Sequence, residues 1–568
     1  MSGRRGWWIA LAAFLAVTAI ASLVRPMQVP DEARYGIIPA QMVETGDWLQ
    51  PRLAGFRFYE KPPLVYWLTA ASIRAFGEHA WSIRLPSVLA TGVTCLVAAW
   101  VAVRATGRRD LGPSAFLVQA TTIGPMVLGS VATLDPTFAA LVACTHAAFL
   151  GACTSHGRAR SGWLALAGVA AGFAFLAKGL LAFAIPGATA LAFLAWERRW
   201  RDMLRMPWIP LVTALVTLAP FAWAVESANP GFWSYLVMKE HVRRALNPDP
   251  TQQPQPWWFY AVLFPVGAMM WTLAWPRAVA GLRDAPAQVR SGVRFALCWA
   301  LVPLAALTLS SGKLATYMLP MYAPVAVLVA IGLAQWRSRH GGDGGASASV
   351  ARWILRVAVV VIAAVAVVGP DRLGMPALWL THGTARLLML AVALTMWAIL
   401  DAWSWRANDP ARWVARTALA PVPMLVMIPF LYPTALLATA KNPWEFLARH
   451  RTLLQAADEL VVAGGSPALA ASWDSGRRDL VIAGWADEFD NEMDLPEERD
   501  RRIEWPEVAV RVRHARGVAN GEGGGAGVVR SITVLGDPRR LDELLATEGV
   551  PAPDVRVDEG NLGVAAWR

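Results

Sequence analysis

Apolar runs long enough to cross a hydrocarbon core of about 30 Å recur along the first 440 residues, each closed by a polar turn. The pattern predicts thirteen membrane spans, at about 7–24, 81–103, 111–128, 136–153, 162–177, 180–196, 207–225, 257–276, 293–310, 316–336, 353–369, 378–400 and 413–435. Arg4 and Arg5 precede the first run, as in a signal peptide, but no small-residue cleavage site closes it, so it reads as a retained helix. Past residue 440 the pattern changes. Short β-like runs ("ALAASW", "DLVIAGW", "VAVRV", "RSITVL") alternate with helix-like ones ("FLARHRTLLQAADELV", "DPRRLDELLATEG"). The chain therefore divides into a transmembrane domain, 1–440, with two long outward segments at 25–80 and 226–256, and a small α/β domain, 441–568.

Composition agrees, with 56% hydrophobic and 16% charged residues, too little charge for the surface of a large soluble protein. The net charge of +11 splits into +18 on 1–440 and −7 on 441–568. One alternate set of short loops holds twenty-one Lys and Arg, while the opposite set holds only Lys178, Lys313 and Arg372. The positive-inside rule puts the rich set in the cytoplasm. Thirteen spans from a cytoplasmic N-terminus then leave the α/β domain outside. The basic balance is thus an orientation signature and not a nucleic-acid footprint. "NGEGGGAG" at 520–527 is a loop and not a phosphate loop, since no Gly-Lys-Ser/Thr follows. The acidic stretch 487–500 reads as solvated. All four cysteines fall inside predicted spans, with no zinc spacing and no disulfide framework.

The chemistry gathers at the outward face. "VPDEARYG" (29–36), "FRFYEKPPLVYWL" (56–68), "ATLDPT" (132–137), "FLAKGLL" (175–181), "YLVMKEHVRRALNPDP" (235–250) and "SSGKLATYMLPMYAP" (310–324) deliver ionisable groups to one side of the membrane. Such groups are costly at a membrane edge unless they meet water or a partner, so their convergence marks a functional site. Asp31, Glu32, Glu60 and Asp135 suit base work, sugar recognition or a divalent ion. Lys61, Lys178, Arg243, Arg244 and Lys313 suit phosphate. Tyr35, Tyr59, Tyr317 and Tyr322 can stack on a sugar or bond a phosphate, and Glu240 and His241 add a carboxylate and an imidazole. Each has a plainer reading. Asp31 after Pro30, and Asp135 before Pro136, sit where helix N-caps belong, and Glu32 suits the first-turn dipole. Lys178 and Lys313 sit in tight turns or snorkel to head groups. His241 with Glu240 is too small a set for a metal site.

Taken together, "VPDEARYG", "YEKPPLVYWL", "LDP", "AKG", "KEHVRR" with "QPWWFY", and "GKLATYMLPMYAP" resemble the bacterial aminoarabinose transferases, lipid A glycosyltransferases related to protein O-mannosyltransferases. The resemblance implies a GT-C fold of about thirteen transmembrane helices with a periplasmic α/β tail in the inner membrane. It implies transfer of 4-amino-4-deoxy-L-arabinose from undecaprenyl phosphate to lipid A by a protein that needs no nucleic acid and works as a monomer. Asp31 becomes the key first-loop carboxylate, with Asp135 as the second catalytic candidate. Lys61 and the neighbouring Tyr59 become the donor-phosphate contact. No cofactor is required, and a divalent ion on Glu60, His241 and Asp135 stays open. A sister glycosyltransferase of the same scaffold, acting on protein or glycolipid, is the alternative. A transporter ranks third, because the charges gather at one face and not at mid-membrane.

Overall fold

The computed structural model describes residues 27–234, 255–268, 271–310, 312–340, 383–431, 443–484, 496–519 and 531–568, with scattered positions between them. Packing divides the chain into two compact units: Met1–Arg25, Glu60–Val65 and Arg84–Tyr432 form one, and Pro26–Tyr59, Tyr66–Ile83 and Pro433–Arg568 form the other. The sequence places residues 25–80 with the spans. Most of that segment instead packs into the unit of the α/β domain.

The first unit is helical. Among the described residues seven helices are long and apolar enough to cross a membrane: Ala80–Thr106, Leu134–Cys153, Gly157–Lys178, Trp200–Ala228, Ala287–Leu309, Ala315–His340 and Leu387–Ser404. Trp200–Ala228 leaves Leu211, Val212, Leu215, Val216 and Trp223 exposed, a face that needs lipid around it. Three predicted spans are broken. Residues 111–128 form Leu111–Ala120 and Ile123–Leu128, because the Thr121 and Thr122 hydroxyls bond back to the Leu117 and Val118 carbonyls and Pro125 lacks an N–H. Residues 257–276 become Phe259–Ala268 and, after a turn bent by 92°, Thr272–Arg283. The 413–435 run splits at Pro421 into Pro410–Leu419 and Val422–Leu431. The 180–196 run is a 16-residue helix, Leu181–Trp196, roughly 24 Å long and short of a full crossing. The predicted spans 7–24 and 353–369 lie outside the described residues apart from a few positions.

Helices approach closely where small residues allow it. A Cβ at Gly281 would stand 1.9 Å from the Gly332 carbonyl oxygen on the neighbouring helix. Gly281→Val is expected to lower stability by about 1–3 kcal/mol or more. Thermal unfolding of the purified protein in detergent reads that loss, and an unchanged midpoint would mean the two helices can part there.

The second unit holds the α/β domain. Its sheet comprises β3 (Glu459–Ala463), β4 (Val481–Ala483), β5 (Arg502–Ile503), β6 (Ile532–Gly536), β7 (Val555–Glu559) and β8 (Leu562–Trp567), in the order β5-β4-β3-β6-β8-β7. β5, β4, β3 and β6 run parallel, and β8 pairs antiparallel with both β6 and β7. "DLVIAGW" and "RSITVL" supply β4 and β6, as the alternation predicts. "ALAASW" and "VAVRV" are helical, inside Gly465–Ser475 and Trp505–Ala519. In the latter Val508, Val512 and Ala515 are buried at helical spacing, and the run of valines masks it. "ELV", at the end of a run read as helix, opens β3 because the helix Trp444–Ala456 has already stopped. The loop 520–527 lies outside the described residues. The acidic stretch is not simply solvated: Glu498, on the short helix Pro496–Arg499, is buried.

The outward segment 25–80 contributes a helix, Asp31–Thr45, a two-stranded hairpin, β1 (Arg52–Leu53) and β2 (Phe56–Arg57), and a second helix, Leu64–Phe76, whose first two residues fall in the other unit.

Candidate active site

In the membrane unit the helices Leu134–Cys153 and Gly157–Lys178 pack side by side, bringing Asp135 near the start of one to Lys178 at the end of the other. Their side chains form an ion pair in which each is only 10% exposed. The Lys178 ammonium also sits 4.0 Å from the centroid of the Tyr317 ring and 5.5 Å from that of Phe138. Lys61 is near enough for its charge to act on Lys178. Glu60 lies 3.8 Å from Lys61, whose ammonium also donates to the Glu60 carbonyl. Asp135 is not a helix cap: the cap position is Thr133, with no side-chain cap bond, and the Asp135 carboxylate is engaged by Lys178. A carboxylate, two ammonium groups and a phenol thus share one corner, a set fit to hold an anion and stabilise charge that builds on it.

The other predicted residues of this unit behave differently. Lys313 turns inward, donating to the carbonyls of Gln255 at 3.0 Å and Ser310 at 2.5 Å, so it closes a turn. Tyr322 is 1% exposed and its ring stacks on Phe264 at 4.7 Å. Glu240, His241, Arg243 and Arg244 lie outside the described residues. Among the described residues no three His, Cys, Asp or Glu side chains converge as a metal cluster.

In the second unit Asp31 is the first residue of its helix and not the cap, which is Pro30. Its carboxylate is 59% exposed and accepts from the Arg34 guanidinium at 2.8 Å. Glu32 is fully buried and accepts from the Gln28 backbone N–H at 2.9 Å, at the entry to the helix. Tyr35 stacks on Tyr66 with ring centroids 5.7 Å apart. Tyr59 is buried, and burial pushes its hydroxyl above the usual tyrosine range, keeping it a donor.

Two residues that motif reading passes over help to place these groups. Arg34 was legible as the i+3 partner of Asp31. Arg84, within "SIRLP", is fully buried and donates to the carbonyls of Ser22 at 2.5 Å and Arg25 at 2.8 Å. Arg25 in turn donates to Ser130 O at 3.2 Å, in the turn that leads to Asp135. An arginine inside an apolar run was the available signal.

Three comparisons bear on this arrangement. The family profile described as dolichyl-phosphate-mannose-protein mannosyltransferase matches residues 60–225. The undecaprenyl phosphate-alpha-4-amino-4-deoxy-L-arabinose arabinosyl transferase of Pseudomonas savastanoi pv. phaseolicola (strain 1448A / Race 6) is 31% identical over 512 residues, covering 89% of this chain and 92% of the relative. Its namesake in Pseudomonas aeruginosa (strain UCBPP-PA14) is 31% identical over 574 residues, covering 100% and 99%. The chain belongs to this arabinosyl transferase family. The crystal structure of ArnT from Cupriavidus metallidurans bound to undecaprenyl phosphate superposes with a TM-score of 0.79 at 20% identity, covering 99% of this chain and 98% of that one. The fold is therefore the expected GT-C fold, a multi-pass membrane domain with a C-terminal α/β domain, and the protein is a glycosyltransferase.

Proposed function

We propose that this chain moves 4-amino-4-deoxy-L-arabinose from undecaprenyl phosphate to a phosphate of lipid A, at the outer face of the inner membrane. The end-to-end likeness to relatives named for that sugar and that lipid carrier is the observation behind the reading. An oxygen of the acceptor phosphate attacks the anomeric carbon, and the bond from that carbon to the donor's phosphate oxygen breaks, the pair leaving with undecaprenyl phosphate. Lys61 and Lys178 stabilise the charge that grows on the leaving phosphate. The acceptor's second pKa, near 6, leaves it largely ionised at neutral pH. Asp31 then orients the acceptor or recognises the sugar's ammonium more than it removes a proton. The chemistry requires no cofactor, and a divalent ion stays open. The loop charges support a cytoplasmic N-terminus and a periplasmic site and α/β domain, and the chain acts as a monomer. Lipid A with an added cation attracts polymyxin less.

The test is polymyxin survival of a host lacking its own aminoarabinose transferase, with lipid A mass spectra from the same cells. Resistance with an added aminopentose mass supports the reading. Unchanged lipid A despite good membrane expression overturns it in favour of the mannosyltransferase-like alternative that the match over 60–225 favours. In the purified enzyme Lys61→Ala is expected to lower donor use by roughly 10- to 100-fold. The thermal midpoint should hold, because a partly exposed pair at 3.8 Å is worth under about 1 kcal/mol. Wild-type donor kinetics in this variant would remove Lys61 from the site.

A further inference from the structure

The outward loop that carries Asp31 is held by the C-terminal domain at several points, all within the second unit. The Trp444 indole donates to Met27 O at 2.7 Å, just ahead of the Asp31 helix. The Trp473 ring lies where a Cβ on Gly36 would stand, 2.6 Å from it. At the far end of the same helix, Glu44 pairs with Arg478 at 2.9 Å, and Arg478 also reaches Glu78 at 3.4 Å.

The hairpin tip is held most closely. Ala54 and Gly55 both have left-handed backbones, φ +50° and +88°, which suits a two-residue hairpin turn. The Gly55 N–H donates to Gln41 on the Asp31 helix at 3.0 Å. The Arg501 guanidinium closes over the tip, donating to the carbonyls of Ala54 at 2.8 Å, Arg478 at 2.9 Å and Leu480 at 2.9 Å. It also lies 4.3 Å from the centroid of the Phe56 ring. A Cβ on Gly55 would come 2.6 Å from both Arg478 O and an Arg501 nitrogen, so the close approach needs glycine there. Below the tip Arg52 and Arg57 flank the buried Glu498 at 3.7 and 3.9 Å. Arg501 donates to carbonyls of two segments 447 and 23 residues away in the chain.

We propose that the C-terminal domain is a positioning element for the reaction, and that Arg501 is its key positioning residue, fixing the 52–57 hairpin and through Gln41 the helix that begins at Asp31. The domain touches no reacting atom in this role. It restricts the loop so that Asp31 meets the substrates in one geometry. A loss of that restriction lowers turnover more than binding, because small misplacements cost rate steeply.

The proposal rests on the transferase reading only for its kinetic arm. With full-length protein in lipid nanodiscs, Arg501→Met is expected to lower kcat at least tenfold while the donor KM stays within about twofold, with Arg501→Lys intermediate. Amide hydrogen exchange supplies a readout free of activity. Protection at residues 52–57 should fall at least tenfold in Arg501→Met while β3, β4 and β6 keep theirs. Unchanged protection at 52–57 overturns the clamp. So does a full wild-type kcat, or exchange that rises equally over the sheet, which would make Arg501 a residue of domain stability alone. If the wild-type protein shows no aminoarabinose transfer, the functional reading fails by itself, and hydrogen exchange still decides the clamp.

Discussion

Asp31→Asn is expected to cut turnover by roughly 10²- to 10⁴-fold while leaving expression and thermal stability close to wild type. The stability half of that expectation follows from the geometry. Asp31 makes no cap bond, and its one described ion pair, with Arg34 at i+3, is exposed on the carboxylate side. Pairs of this kind are worth about 0.3–0.5 kcal/mol, so losing it leaves the helix intact. The activity half follows from the proposed chemistry. A carboxylate that faces outward on the first turn of a well-anchored helix can meet either the sugar ammonium or the acceptor, and the neutral amide keeps the shape but loses the charge. Arg34→Met is the companion variant. If Asp31 mattered only for its pairing with Arg34, the two variants would lose the same activity. Steady-state kinetics with lipid donor and lipid A separates the cases, and wild-type turnover in Asp31→Asn would strike the residue from the mechanism.

The membrane class and the α/β tail were legible because both rest on hydrophobic period, which is local. The breaks inside apolar runs were not. Proline and back-bonding threonine at 121–125 and 421 cost the hydropathy pattern nothing, yet they end helices. The motif reading named Asp135, Lys178, Tyr317 and Lys61, which the structure brings together, without being able to say which cation met which carboxylate. That pairing depends on two helices lying side by side. It also gathered Glu32 and Lys313, which bond to backbone groups, and Tyr322, whose ring packs on Phe264. These three are buried where Asp31 is exposed, and exposure is a tertiary property. The largest omission was the attachment of the first outward segment to the C-terminal domain. Glu44 and Arg478 stand 434 residues apart in the chain, and neither neighbourhood announces the other.

Asp135 and Lys178 yield the second large effect. Each is only 10% exposed, so removing one partner leaves an uncompensated charge, and each single variant, Asp135→Asn or Lys178→Met, is expected to lower stability by about 3–5 kcal/mol. The double variant leaves neither charge behind and is expected to recover most of that loss, since replacing both members of a buried pair is often neutral. Activity should not recover with it. Lys178 faces Tyr317 and feels Lys61, a placement that goes beyond neutralising Asp135. Detergent-stable yield and unfolding temperature measure the first effect, and transfer from the lipid donor measures the second. A double variant that folds but stays at least a hundredfold slow assigns the pair to the reaction. A double variant that folds and turns over at the wild-type rate would reduce the pair to a strut between two helices, and the search for the phosphate-binding cations would move to Lys61 and the arginines at 243 and 244.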